Sequence, residues 1–259
     1  MRSLTLLVHG EAGSGKSWLG NTAPGPRLLL DSEKRSEYLS DLRADPTGMT
    51  PQDRVLWDPR NPIPEESKDP NKVTVVVART YEDVDLAVRH LISGNHPFRS
   101  VVLDSLQETQ ELLIHGIAGL DQMKIADWGE ALRKLGSMLR TLCDLRAHPS
   151  NPLSAIVVLS GTQERDGLKR PAIQGQLAGK VAYLFDVVGF QRKGVNAEQE
   201  RVIYLTIDGY SDGSFVTKCN IHPLAVHYGE HVVFPNIEDM LSVLNPVSDS
   251  TDNNDKDIA

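Results

Sequence analysis

Short apolar runs and longer amphipathic stretches alternate through the first two-thirds of the chain. Residues 4–9 are apolar but too few for a helix, and they lead into a glycine-rich turn and then Ser17-Trp18-Leu19, an order that predicts strand, loop and helix. Residues 27–31 predict a second strand, running into a polar stretch at 32–35, and residues 58–71, rich in proline and charge, read as a surface loop. β-Branched residues at 73–78 predict a strand. Thr80 and Asp83 then form a capping pair for a helix through Leu86, Val88 and Leu91. Residues 101–103 predict another buried strand, followed by a helical stretch through Leu106, Leu112 and Leu113. From Asp127 a longer helix sets Leu132, Leu135, Leu139, Leu142 and Leu145 three or four residues apart, which puts them on one face against a sheet. Strands are expected at 155–159, 183–190 and 202–207, with an ending made mostly of strands. This alternation predicts an α/β fold whose mostly parallel sheet is flanked by helices on both faces, with antiparallel strands at the C-terminal edge.

Length and charge narrow the class. A chain of 259 residues with 40% hydrophobic content can bury a full core. We read one domain over residues 1–245 and an acidic tail over 246–259, expected to be disordered, in which Asp249, Asp252, Asp255 and Asp257 outnumber the single Lys256. No apolar run approaches the roughly 20 residues of a membrane span, and the N-terminus has no signal-peptide pattern. The expectation is a soluble cytoplasmic protein with no membrane partner. Cys143 and Cys219 make no disulfide framework. A net charge of -8 excludes broad attraction to a phosphate backbone, so any nucleic-acid site has to be local.

Candidate chemistry begins at residues 10–17, which read GEAGSGKS and match G-x-x-x-x-G-K-[ST] between a predicted strand and a predicted helix. Gly10, Gly13 and Gly15, with Glu11, Ala12 and Ser14 between them, let the backbone curl so that its N–H groups converge on phosphate oxygens. Lys16 adds a positive charge for the β and γ phosphates, the Ser17 hydroxyl is a ligand for Mg²⁺, and the helix that starts there adds its dipole. Trp18 closes the nucleotide-contacting stretch, although its ring, like that of Trp128, reads as core or interface. The cofactors expected are therefore ATP and Mg²⁺.

Three further residues stand at strand ends. Glu33, just past the second strand, is placed to orient and deprotonate a water for attack on the γ-phosphate. Asp104 ends the apolar run Val101-Val102-Leu103 and is suited to hold Mg²⁺. Gln163 follows the strand at 155–159, where an amide can contact the γ-phosphate and report its loss.

In this order the motifs resemble the RecA/RadA family of recombinase-core ATPases, and most closely the short phage-type RecA-like, AAA-like proteins that accompany single-strand annealing and recombination. Asp127-Trp128-Gly129-Glu130, Gly179-Lys180 and Phe185-Asp186-Val187-Val188-Gly189 belong to the same likeness, which covers about residues 1–245 and is weakest after 195. No counterpart of the N-terminal domain or polymerisation arm of full-length recombinases is recognised in these residues. The resemblance implies a RecA-like ATPase core, water activation by Glu33, and coupling by Gln163 to DNA-binding loops. It also implies a homo-oligomeric ring or filament, and a partner that binds or anneals single strands.

Residues 164–193 carry Arg165, Lys169, Arg170, Lys180, Arg192 and Lys193 against three carboxylates, a basic island in an acidic chain. Lys169-Arg170, beside Gly167 and Pro171, reads as a flexible basic loop suited to the phosphates of single-stranded DNA. Arg165, Lys169, Arg170 and Lys180 are the candidates for DNA contact or for a cation completing a neighbouring subunit's site. Cys219, His222, His227 and His231 lie close in sequence but at no familiar zinc spacing. His9 reads as packing. The leading expectation is an ATPase acting on single-stranded DNA in recombination, repair or annealing. A helicase-like or packaging motor, and a nucleotide-gated adaptor with little turnover, remain the alternatives.

Overall fold

A computed structural model describes residues 2–39, 53–208 and 213–246. The chain runs β1 (Leu4–Gly10), α1 (Lys16–Asn21), β2 (Arg27–Asp31), β3 (Arg54–Leu56), β4 (Val73–Val77), α2 (Tyr81–Ile92), β5 (Ser100–Asp104), α3 (Leu106–Ala118) and α4 (Ile125–Asp144). It continues through β6 (Ala155–Ser160), β7 (Thr162–Arg165), β8 (Leu168–Pro171), β9 (Val187–Val195), β10 (Arg201–Thr206), β11 (Lys218–Cys219), α5 (His222–Tyr228), β12 (His231–Val233) and α6 (Ile237–Leu244).

One mixed sheet has the order β12-β10-β9-β1-β6-β5-β2-β4-β3, with β11 also paired to β9. All pairings from β9 through β1 to β3 are parallel, and β10, β11 and β12 join antiparallel at one side. The expected α/β architecture is thus present. Alternation along the central strands explains the two layers of helices, because successive side chains leave opposite faces of a strand. Leu7, Val101, Leu103, Ile156 and Val158 pack with Val84, Leu91, Leu113, Leu135 and Leu139 of α2, α3 and α4. Leu6, Val8, Val102, Val157 and Leu159 pack on the other face with Leu19, Leu224, Ile237, Met240 and Leu241 of α1, α5 and α6. Each such side chain, fully buried, contributes about 1.5–3 kcal/mol. No helix among the described residues is long and apolar enough to cross a membrane.

Register decides where the site forms. His9 lies opposite Ser160, Leu159 opposite Asp104, and Asp104 opposite Asp31. The C-terminal ends of β1, β6, β5 and β2 are therefore level, at the edge where ligands of open α/β sheets bind.

Several expectations change. Residues 181–184 form a 3₁₀ turn rather than the start of a strand, and β9 begins only after Asp186. Asp186 is held there because its N–H donates to Thr5 Oγ1, its carboxylate accepts from the same hydroxyl, and Arg146 pairs with it. The basic segment after Gln163 is an ordered hairpin of β7 and β8, not a flexible loop. Asp166 and Gly167, both at positive φ, make its tight turn. The ending alternates short strands with α5 and α6 instead of consisting mostly of strands. The capping box of Thr80 and Asp83 is present at α2, and α4 starts at Ile125, two residues before the expected position. The acidic tail, apart from Pro246, lies outside the described residues.

Candidate functional site

Where β1 ends, the chain turns tightly against β9. A Cβ at Gly10 would stand 2.3 Å from the Gln191 carbonyl oxygen, so only glycine allows the turn to start there. Gly13 and Gly15 have φ of 73° and 96°, the left-handed conformation that a curled loop requires. Ser14 N–H donates to Glu11 O at 3.2 Å, and Gln191 Nε2 donates to Ser14 O at 3.2 Å, tying the loop to β9 from below. Lys16 Nζ folds back over the loop and donates to Gly10 O and Glu11 O at 2.9 Å each. Burial lowers the Lys16 ammonium from its ordinary pKa, while Asp104 and Glu33 pull it back up.

The Ser17 hydroxyl donates to Asp104 Oδ2 at 2.6 Å. Burial pushes the Asp104 carboxyl up to about 6; the Ser17 bond and Lys16 oppose that, and Glu33 and Asp31 reinforce it. A hydroxyl and a buried carboxylate this close are the oxygen donors that a hard divalent cation takes, so the donor set fits Mg²⁺ bound by Ser17 and Asp104. Glu33 is about one-third exposed and pairs with Arg35 at 3.5 Å.

These groups share one cleft of about 1630 Å³, ample for a nucleoside triphosphate. Gly10, Glu11, Ala12, Gly13, Gly15, Lys16, Ser17 and Trp18 form its floor, with Asp104 and Glu33 on one side. Ser14 is buried beneath the loop. The cleft also takes in residues that the sequence did not place at the nucleotide site, among them Lys193 of the basic island. Gln107 and Glu108 come from the first turn of α3; Lys193, Val195, Arg201 and Ile203 come from the β9–β10 hairpin, and Phe234 follows β12. Gln107 and Glu108 were findable, since a helix that starts straight after an acid-bearing strand has to present its first turn at the same edge. The hairpin residues were not, because only the pairing of Gly10 with Gln191 brings them beside the phosphate loop.

Gln163 is not among the cleft residues. Its amide donates to Pro171 O at 3.3 Å and Ile173 O at 3.0 Å, so it holds the base of the β7–β8 hairpin; its neighbour Thr162 lines the cleft instead. His9 packs as expected, with Nε2 at 2.8 Å from Val216 O and Nδ1 at 3.0 Å from Thr162 Oγ1. The hairpin is fastened to the phosphate loop. Lys169 Nζ pairs with Glu11 Oε1 at 2.8 Å and lies 5.7 Å from the centre of the Phe190 ring, which stacks on Phe215. Arg165 is exposed at the hairpin tip, Arg170 is half-buried, and Lys180 is exposed and away from the cleft. Among the described residues no group of three or more His, Cys, Asp and Glu is placed to hold a metal. In the segment weighed for zinc, Cys219 Sγ instead donates to Ile221 O and His231 bonds Thr206.

A parallel sheet with a lysine- and serine-bearing glycine loop after one central strand, and a buried aspartate after another, defines a P-loop nucleotide-binding protein. A family model described as an AAA domain matches residues 2–209, and the chain belongs to that family of P-loop ATPases. No curated protein matches it.

Proposed function

We propose that the protein hydrolyses ATP with Mg²⁺ in this cleft and couples hydrolysis to single-stranded DNA during recombination, repair or annealing. The observation that carries the reading is the meeting of Lys16, the Ser17–Asp104 pair and Glu33 at one sheet edge. Lys16 and the loop N–H groups would bind the phosphates, and Ser17 and Asp104 would hold Mg²⁺, which would supply charge neutralisation for phosphoryl transfer. Glu33 orients and deprotonates the attacking water, and Lys16 stabilises charge on the transferred group. The DNA half of the reading rests on the β7–β8 hairpin, which carries Arg165, Lys169 and Arg170 and is joined to the phosphate loop by the Lys169–Glu11 ion pair. Work as a ring or filament, with Lys180, Lys169 or Arg170 reaching a neighbour's nucleotide, belongs to the same proposal, as does a partner that binds or anneals single strands.

The test is steady-state ATP hydrolysis by the full chain with and without single-stranded DNA. Stimulation by DNA in the wild type, with Glu33→Gln binding ATP but not cleaving it, is the expected pattern. Equal turnover with and without DNA removes the DNA half, and undiminished cleavage by Glu33→Gln removes Glu33 as the base.

A further inference from the structure

Glu33 sits on a short turn beyond β2, and the structure shows what fixes that turn. At its two ends, the Asp31 carboxylate accepts from Arg35 N at 3.2 Å and Ser36 N at 2.9 Å, and Lys34, at φ 60°, reverses the chain between them. Asp31 is thereby occupied by backbone donors. On its inner side the turn hangs on the end of β5, since Ser32 N and Glu33 N both donate to Asp104 O, at 2.8 and 3.3 Å.

A buried hydroxyl cluster closes the junction. Ser32 Oγ donates to Ser105 O at 2.8 Å and accepts from Ser105 N at 2.9 Å. Thr109 Oγ1, one turn into α3, lies 3.2 Å from Ser32 Oγ and 2.8 Å from Ser105 O. Ser32, Ser105 and Thr109 are each at most 3% exposed, so water does not compete for these bonds. None of the three lines the cleft.

We infer that Ser32, backed by Thr109, is a positioning residue for hydrolysis: it locks the turn bearing Glu33 to the strand end bearing Asp104, and so sets where the base stands relative to the cation and the γ-phosphate. The inference rests on the proposed hydrolysis. A hydroxyl that only stabilised the fold would leave the reaction rate of folded protein intact, whereas a base displaced by a fraction of an ångström lowers kcat without touching phosphate binding. Thr109→Val suits the test because it strands no buried polar group. Ser105 O keeps its bonds from Ser32 Oγ and Thr109 N, and Ser32 Oγ keeps Ser105 N. Ser32→Ala is the harsher change, since it leaves Ser105 N–H without its acceptor.

The experiment measures kcat, KM and ATP affinity in Mg²⁺ for wild type, Ser32→Ala, Thr109→Val and Thr109→Ser, with thermal unfolding of each. Ser32→Ala is expected to lower kcat about tenfold or more and Thr109→Val about threefold or more, with ATP affinity within about twofold of wild type. Thr109→Ser, which restores the hydroxyl, is expected to recover the rate. Should Ser32→Ala fail to fold, the comparison of Thr109→Val with Thr109→Ser decides. The inference is overturned by folded Ser32→Ala or Thr109→Val with wild-type kcat, by parallel losses of kcat and ATP affinity, or by Thr109→Ser as slow as Thr109→Val. A wild type that binds ATP but never cleaves it overturns the proposed hydrolysis as well, which distinguishes the two failures.

Discussion

Lowering the pH from 7 to 5 probes how the phosphate loop is supported from beneath, through His9. This side chain is fully buried, and burial holds its pKa down at about 4 against an ordinary 6.5; the Val216 carbonyl opposes the shift and Lys16 adds to it. Val216 O can only accept, so Nε2 carries a proton, while Nδ1 lies 3.0 Å from the Thr162 hydroxyl, which also donates to Arg170 O at 3.1 Å. An unfolded chain takes up its proton near pH 6.5, before the folded one does. The neutral ring's contribution is therefore intact above 6.5, erodes as the pH falls towards 4, and changes no further below that. The whole displacement corresponds to about 3 kcal/mol, of which about 2 kcal/mol is lost between pH 7 and pH 5. His96 is also held at about 4, by burial and by nearby His148, so the comparison has to be between wild type and His9→Asn. Urea unfolding followed by tryptophan fluorescence at the two pH values gives the difference. His9→Asn is expected to be less stable at pH 7 but to lose about 2 kcal/mol less than wild type on acidification. Equal losses would refute the reasoning, because they would mean that His9 is not held neutral beneath the loop.

Two more expectations concern the same edge of the sheet. Gly10→Ala drives a Cβ to 2.3 Å from the Gln191 carbonyl, whereas Gly13→Ala meets nothing within 4 Å and suffers only from its φ of 73°. The first is expected to cost about 3 kcal/mol by overpacking and to abolish ATP binding, the second about 1–2 kcal/mol from conformation, as read by urea titration and nucleotide titration. Changing Arg165, Lys169 and Arg170 together to Gln should flatten the dependence of single-strand affinity on salt, by about 0.7 in log–log slope for each DNA phosphate that is no longer neutralised. An unchanged slope places the DNA elsewhere.

The central strands were legible because burial on both faces leaves an uninterrupted apolar run, as at Leu28-Leu29-Leu30 and Val101-Val102-Leu103. The phosphate loop was legible because its chemistry is local to eight residues. What escaped depends on distant pairings. β9 continues as Gln191-Arg192-Lys193, too polar to read as strand, yet it forms the wall beside the loop because Gly10 pairs with Gln191. Gln163 stood at the expected place in the order of motifs, but its amide is taken by the hairpin backbone, a preference that no linear spacing reveals. α6 was recoverable, since Ile237, Met240, Leu241 and Leu244 repeat at helical spacing after the capping Asn236. β3, three residues at the sheet edge, carries too short a pattern to be seen.

Calorimetric titration of the full chain with ATP, in Mg²⁺ and in excess chelator, tests the central claim most directly when Lys16→Ala is titrated beside the wild type. Saturable binding by the wild type that weakens strongly in chelator, and its loss in folded Lys16→Ala, is the predicted result. Folded wild type that takes up no ATP in Mg²⁺, or Lys16→Ala that binds as tightly as wild type, would contradict the account.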